Sequence, residues 1–225
     1  MAVTVGAARP LNSQVQELFE RVKNIAAGAA LMTGTRYEVE VPAATSNLLM
    51  NETIMDVLQG SLERVAPPAY DDAEIAFAKK VAGTFPPKSR EAQIGRLGTE
   101  GAKVVGPASE ALLVSKVIPL HKTDSILPAS SDVGDVTWVT PTGQIGTVCH
   151  AVGTPGHSWQ IVAQGGMSIG HKGMLYAGKV LGDAALQFMR KPELVQKAQA
   201  EFKAQIAQTP YVCPIPADVK PPLNG

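Results

Sequence analysis

SSDVGDVTWVTPTGQIGTVCHAVGTPGHSWQIVAQGGMSIGHKGML, residues 130–175, is the stretch that decides how this chain is read. Residues 144–151 read as a strand, and a turn of glycine and proline follows at 153–156. A long helix then runs from about Gly170 to Met189, with Met174, Leu175, Ala177, Leu181, Ala185 and Phe188 toward a core. In α/β proteins, turns of this kind at strand ends are where functional side chains gather. The stretch also holds three of the four histidines, Cys149 and both tryptophans. Chemistry needs groups that bind metals or move protons, and the rest of the chain has few of them.

Outward from this stretch, the pattern is mostly helical. Val15, Leu18, Phe19, Val22, Ile25, Ala26 and Ala29 recur at helical spacing behind a Ser13-x-x-Gln16 capping box, and Gly34 stands where a helix stops. TRYEVEV, 35–41, alternates Tyr37, Val39 and Val41 with charges and predicts a half-buried strand. Asn51 opens a second helix that carries Ile54, Val57, Leu58, Leu62 and Val65. A third covers 70–82, and Pro192 opens a last one with Val195, Ala198, Phe202 and Ile206 on one face. Residues 83–129 show little periodicity and read as an irregular segment. Residues 131–138 fit either a helix start or a strand. The tail, TPYVCPIPADVKPPLNG, reads as extended and proline-rich.

Bulk properties exclude several classes. The 225 residues carry 20 basic and 20 acidic side chains, a balance that speaks against a nucleic-acid partner. No apolar run is long enough for a transmembrane helix, so no membrane role is expected. Two cysteines, Cys149 and Cys213, are too few for a disulfide framework and suit a reducing, cytoplasmic setting. The opening residues lack the pattern of a signal peptide.

Candidate chemistry centres on four residues. His157, in GTPGHSWQ, follows the turn, and neutral imidazole is a common metal ligand; the alternative is a loop histidine bonded to backbone. His171 stands at a helix start, where it can orient a ligand or donate to a substrate carboxylate, or simply satisfy a nearby carbonyl. Lys172 beside it reads more readily as solvated than as a carboxylate partner. Asp132 and Asp135, if helical, share a face, as support for a metal site, as an acid/base pair, or, the more ordinary reading, as first-turn acids favoured by the helix dipole. Cys149 and His150 alternate faces on a strand and cannot form a nucleophile–base pair. A dinuclear metal site needs about five or six protein ligands, and this sequence offers one good one.

SSDVGDVTWVTPT, GTPGHSWQ, SIGHKGMLYAGKV and PYVCPIPADVKPP together resemble the C-terminal part of the aminobenzoyl-glutamate utilisation protein B subfamily. These are dinuclear metallopeptidases and amidohydrolases related to carboxypeptidase G and the aminoacylases. QVQELFERVKNIAAGAALMTGTRYEVEV is similar to the end of that family's lid. The resemblance covers nearly all of 14–222, whereas the first dozen residues match poorly. It implies an α/β fold: part of a zinc-peptidase-like three-layer α/β/α catalytic domain over 51–225, preceded by a fragment of a ferredoxin-like α+β lid over 1–50.

It also implies amide hydrolysis of an N-acyl amino acid such as p-aminobenzoyl-glutamate, with a divalent metal pair (zinc or manganese). His157 matches the family's metal ligand, and Asp132, Asp135 and His171 match motifs at the substrate or beside the metal. The family's other ligands and its catalytic glutamate have no counterpart here. The expectation is therefore a C-terminal portion, incomplete as a catalyst alone, that pairs with the missing N-terminal half or forms a homo-oligomer. A non-catalytic partner of a full-length homologue is the alternative.

Overall fold

The structure, a computed structural model, describes residues 11–107, 109–110, 112–120 and 131–220. His121, to which the sequence assigns no role, lies outside them. Among the described residues there are helices and no strand. In order they are α1 (Asn12–Thr33), α2 (Glu52–Arg64), α3 (Asp72–Ala82), α4 (Ser89–Arg96), α5 (Gly98–Val105), α6 (Val133–Thr137), α7 (Trp159–Gly165), α8 (Ser168–Arg190) and α9 (Pro192–Gln208).

The long helices follow from their apolar spacing and end signals. α1 ends at Gly34, whose φ of 63° is the left-handed conformation that glycine adopts without a Cβ penalty. Its start differs from expectation: Leu11 is the N-cap and no side chain caps it, so Ser13 lies inside the helix and its capping box does not form. α3 has a capping box instead, with Asp71 accepting from the Glu74 N–H at 2.9 Å and Glu74 accepting from the Asp71 N–H at 2.8 Å.

The α/β expectation is overturned. The described residues form neither a three-layer α/β/α domain nor a ferredoxin-like lid, because no sheet is present. A strand is stable only when a neighbour completes its hydrogen-bond ladder. TRYEVEV has the alternation but no such neighbour among the described residues, and Tyr37 and Val39 remain 47% and 45% exposed. The 144–151 segment is held by helices and side chains instead. Thr147 Oγ1 donates to the Gly173 carbonyl at 3.0 Å, and Tyr70 Oη donates to the Val148 carbonyl at 3.3 Å.

The chain divides into two compact units. One comprises Met1–Asn51, Asp124–Thr142 and Gln199–Gly225, as far as these are described. In it, Trp138 Nε1 donates to the Asn47 carbonyl at 2.7 Å and Thr137 Oγ1 accepts from the Leu49 N–H at 2.8 Å. Gly134 is buried so closely that a Cβ there would stand 2.0 Å from the Ser46 carbonyl oxygen.

The other unit comprises Glu52–Thr123 and Gly143–Ala198. Its spine is α8, which buries Ile169, Gly173, Tyr176, Val180 and Ala184 along one face. Full burial of Ile169 and Val180 contributes on the order of 1.5–3 kcal/mol each. α2 packs on α8, joined by Tyr176 Oη donating to the Leu62 carbonyl (3.1 Å) and by an Arg64–Asp183 ion pair (2.6 Å). Two small apolar clusters fill this unit. Ala78, Ala151 and Ile169 form one, and Ile94 and Val152 the other.

Candidate functional site

Ala151, Val152, Gly153 and Thr154 form a tight turn closed by the Thr154 N–H donating to the Ala151 carbonyl at 3.1 Å. Gly153 is its third residue, with φ of 92°, the pattern of a type II turn. A side chain could not stand there in any case, since a Cβ would lie 2.9 Å from the Arg90 backbone. The adjacent side chains of Ala151 and Val152 enter the two different apolar clusters.

Each N–H of this turn has its own acceptor. Ala151 donates to Gln164 Oε1 at 2.7 Å, Val152 to the Leu112 carbonyl at 2.8 Å, Gly153 to Gln93 Oε1, and Thr154 to Ala151. Gln164 is fully buried, and its Nε2 donates to Thr154 Oγ1 (3.0 Å) and to the Gln160 carbonyl (2.9 Å). Thr154 Oγ1 in turn donates to the Ala151 carbonyl at 2.6 Å.

Pro155 and Gly156 lead from this turn to His157. His157 is exposed and has φ of 53°, a left-handed conformation uncommon for a residue with a side chain. Ser158 Oγ then donates back to the Pro155 carbonyl at 2.7 Å, and α7 begins at Trp159. Among the described residues His157 makes no side-chain hydrogen bond, so its imidazole is free to meet a ligand.

His171 is exposed on the first turn of α8, while Lys172 points the other way. Lys172 is not solvated as the sequence suggests. Its Nζ donates to Glu74 Oε2 at 2.7 Å and to the Ala69 carbonyl at 2.9 Å, and it lies 5.7 Å from the Tyr70 ring centre. Glu74 is a buried carboxylate. The Lys172 hydrogen bond, chiefly, then the nearby Ser168 hydroxyl, hold its pKa down to about 2. Glu74 Oε1 nonetheless lacks a partner of good hydrogen-bond geometry. Burial pushes the Tyr70 phenol up to about 12, with Cys149 and Glu74 adding to the rise.

In the other unit the two acids separate in role. Asp132 is exposed, whereas Asp135 is engaged by three donors. Ser46 gives its N–H (3.2 Å) and its hydroxyl (2.7 Å), and Tyr211 gives its hydroxyl (2.9 Å). Burial, then the bond to Asp135, raise the Tyr211 pKa well above the ordinary phenol value. The Tyr211 and Trp138 ring centres lie 6.3 Å apart.

Sequence reasoning does not find Glu74, Gln93 or Gln164. Nothing beside Gln93 or Gln164 in the sequence names the remote backbone amides that they bond. The one available signal is Asp71-x-x-Glu74, the capping-box spacing. An open groove of about 710 Å³ between α4 and α5 is lined by Ile94, Thr99, Ala102 and Lys103, and it includes none of the four residues singled out from sequence.

The fit to a metal pair is incomplete. Among the described residues no three His, Cys, Asp or Glu side chains stand close enough to hold a metal ion. No helix among them is long and apolar enough to cross a membrane.

No family model matches the sequence, and no solved structure matches it. The chain is similar to the B subunit of p-aminobenzoyl-glutamate hydrolase from Escherichia coli (strain K12), with 38% identity over 216 residues. The match takes in 94% of this chain but 45% of that protein, so the chain spans about half the length of the curated relative. Agreement on that scale, running through the SDVGDV, GTPGHSWQ and HKGM segments, places the chain in the aminobenzoyl-glutamate utilisation protein B subfamily.

Proposed function

We propose that these residues form the C-terminal portion of a hydrolase that cleaves the amide bond of N-acyl amino acids of the p-aminobenzoyl-glutamate kind. The name of the relative and the extent of the similarity support this reading. The observation that carries it within the molecule is His157: an exposed, unbonded imidazole three residues beyond a turn whose every amide is satisfied.

In this proposal His157 supplies one ligand to a divalent metal, zinc or manganese, whose other ligands come from polypeptide outside the described residues. The lack of a three-donor cluster among those residues supports that division. The described residues do not fit a metal pair alone. His171 faces outward from α8 and suits a role toward the substrate carboxylate. Asp132 is exposed and open to a ligand, whereas Asp135 serves to hold its surroundings together. A partner subunit or a second copy completes the assembly.

The test combines the chain with polypeptide covering the rest of the relative's length, in the presence of zinc or manganese. Release of p-aminobenzoate from p-aminobenzoyl-glutamate is then followed. Hydrolysis is expected, and His157→Ala is expected to abolish it. Full activity in that variant overturns the assignment.

The same lack of a donor cluster favours a second reading, a non-catalytic subunit that binds an intact homologue. Stable co-purification with such a homologue, without metal of its own and with His157→Ala silent, would establish it.

A further inference from the structure

We infer that Gln164 and Gln93 are positioning residues: two amides that clamp the 151–154 turn at separate backbone N–H groups and thereby set the backbone from which His157 projects. The consequence for activity rests on the reading just proposed, whereas the geometry does not.

His157 has no side-chain hydrogen bond among the described residues, so only its backbone places the imidazole. That backbone is in the left-handed region, with φ of 53°. Unfavourable backbone conformations persist where the surroundings over-determine them. Here the surroundings are the turn three residues earlier, joined to His157 through Pro155, whose ring fixes its own φ, and Gly156.

The turn is over-determined by partners distant in sequence. Gln164 Oε1 takes the Ala151 N–H from 13 residues away, and Gln93 Oε1 takes the Gly153 N–H from 60 residues away. The Gly153 amide projects outward from a type II turn, so the turn itself offers it no acceptor. Glutamine suits both positions by its chemistry. One amide accepts through Oε1 and donates twice through Nε2. Gln164 uses all three of these, to Ala151, Thr154 and Gln160. Glutamate could keep the acceptor but would lose both donors and bury a charge. Leucine would lose all three bonds.

Hydrogen exchange of the full chain tests this directly. In Gln164→Leu the amides of Ala151 and Thr154 are expected to exchange about ten- to a hundredfold faster, relative to the amides of α8. Gln93→Ala, at a half-buried position, is expected to expose the Gly153 amide selectively and serves if Gln164→Leu does not fold. Val180→Ala loosens the fully buried core of α8 and is the control, with no selective effect on the turn. Unchanged protection of 151–154 in both glutamine variants overturns the inference.

In the reconstituted hydrolase, kcat for p-aminobenzoyl-glutamate is expected to fall about ten- to a hundredfold in Gln164→Leu. In Val180→Ala it stays the same per folded molecule. A loosened turn with unchanged kcat upholds the clamp and overturns the catalytic role of His157, so the two failures are distinguishable.

Discussion

Replacing Lys172 by methionine isolates the charge pair that ties α8 to α3. Methionine keeps most of the stem but removes the ammonium that stands 2.7 Å from Glu74 Oε2. The Glu74 side chain is 5% exposed and that of Lys172 is 35% exposed. A Glu74 pKa near 2 instead of 4.5 corresponds to about 3 kcal/mol of preference for the ionised form. Solvent screening at the partly exposed lysine reduces the share lost with it to about 2 kcal/mol. The Asp71 N–H still bonds Glu74 after the change, so the carboxylate is not wholly abandoned.

The sign of the pH dependence follows from the depressed pKa. Above pH 4.5 both folded and unfolded chains carry the ionised carboxylate, and the full stabilisation is present. Between pH 4.5 and about 2 the unfolded chain takes up a proton that the folded chain refuses, so stability falls by about 1 kcal/mol per pH unit near pH 3. Urea unfolding followed by circular dichroism at pH 7, 4, 3 and 2.5 measures it. Wild type and Lys172→Met are expected to differ by about 2 kcal/mol at pH 7 and to converge toward pH 2. A difference that stays constant across this range would show that Lys172 contributes through its stem and the Ala69 carbonyl, and the charge argument would fail.

Two glycines on α8 give opposite expectations. Gly173→Ala places a Cβ 2.3 Å from the Val148 carbonyl oxygen and 2.6 Å from Cys149 Sγ, and thermal unfolding should show a loss of about 2–3 kcal/mol. Gly178 has nothing within 4 Å of that position, so Gly178→Ala should gain about 0.5–1 kcal/mol from helix propensity; equal melts for the two variants would refute the close approach. Asp135→Asn turns an acceptor of three hydrogen bonds into a poorer one and should cost about 1–3 kcal/mol. Its near-ultraviolet circular dichroism should lose the signal of the Trp138–Tyr211 pair, and an unaltered spectrum would mean that Tyr211 is placed by packing alone.

Length decides which elements are legible in the sequence. α8 and α9 repeat their apolar spacing over 23 and 17 residues, so both helices are readable, but the face of α8 is not: Met174, Leu175 and Leu181, expected in the core, are exposed, while Ile169, Tyr176 and Val180 are buried. α4 and α5 are eight residues each and bury little beyond Ile94 and Gly101, so no periodic signal accumulates and the region reads as irregular. α7, at seven residues, escapes notice for the same reason. The strands fail differently. Alternation in TRYEVEV reports that one face could be buried, but a strand also needs a ladder partner, and that is a property of other segments. Helices close their hydrogen bonds locally, so their evidence lies within one stretch of sequence.

Within the candidate site the motifs are legible and the division of labour inside each is not. In SDVGDV, Asp135 is bonded to Ser46 and Tyr211 while Asp132, three residues earlier, faces solvent. In HKGM, Lys172 is bonded to Glu74 and Ala69, Gly173 admits the Val148 carbonyl, and His171 faces outward. In AVGTPGHSW, Ala151 and Thr154 are held by Gln164 while His157 stands free. Each motif thus couples residues that anchor to a neighbour that presents. The anchoring partners are remote, at positions 46, 74, 93, 164 and 211, and nothing local to the motif names them. A polar residue that holds and one that presents look alike in sequence; burial and partner separate them. Anchors fix the backbone while the exposed imidazoles make no side-chain hydrogen bond among the described residues, which suits side chains whose ligand comes from elsewhere. His157 and His171 therefore remain the residues to test for chemistry, and Lys172, Asp135 and Gln164 the residues to test for geometry.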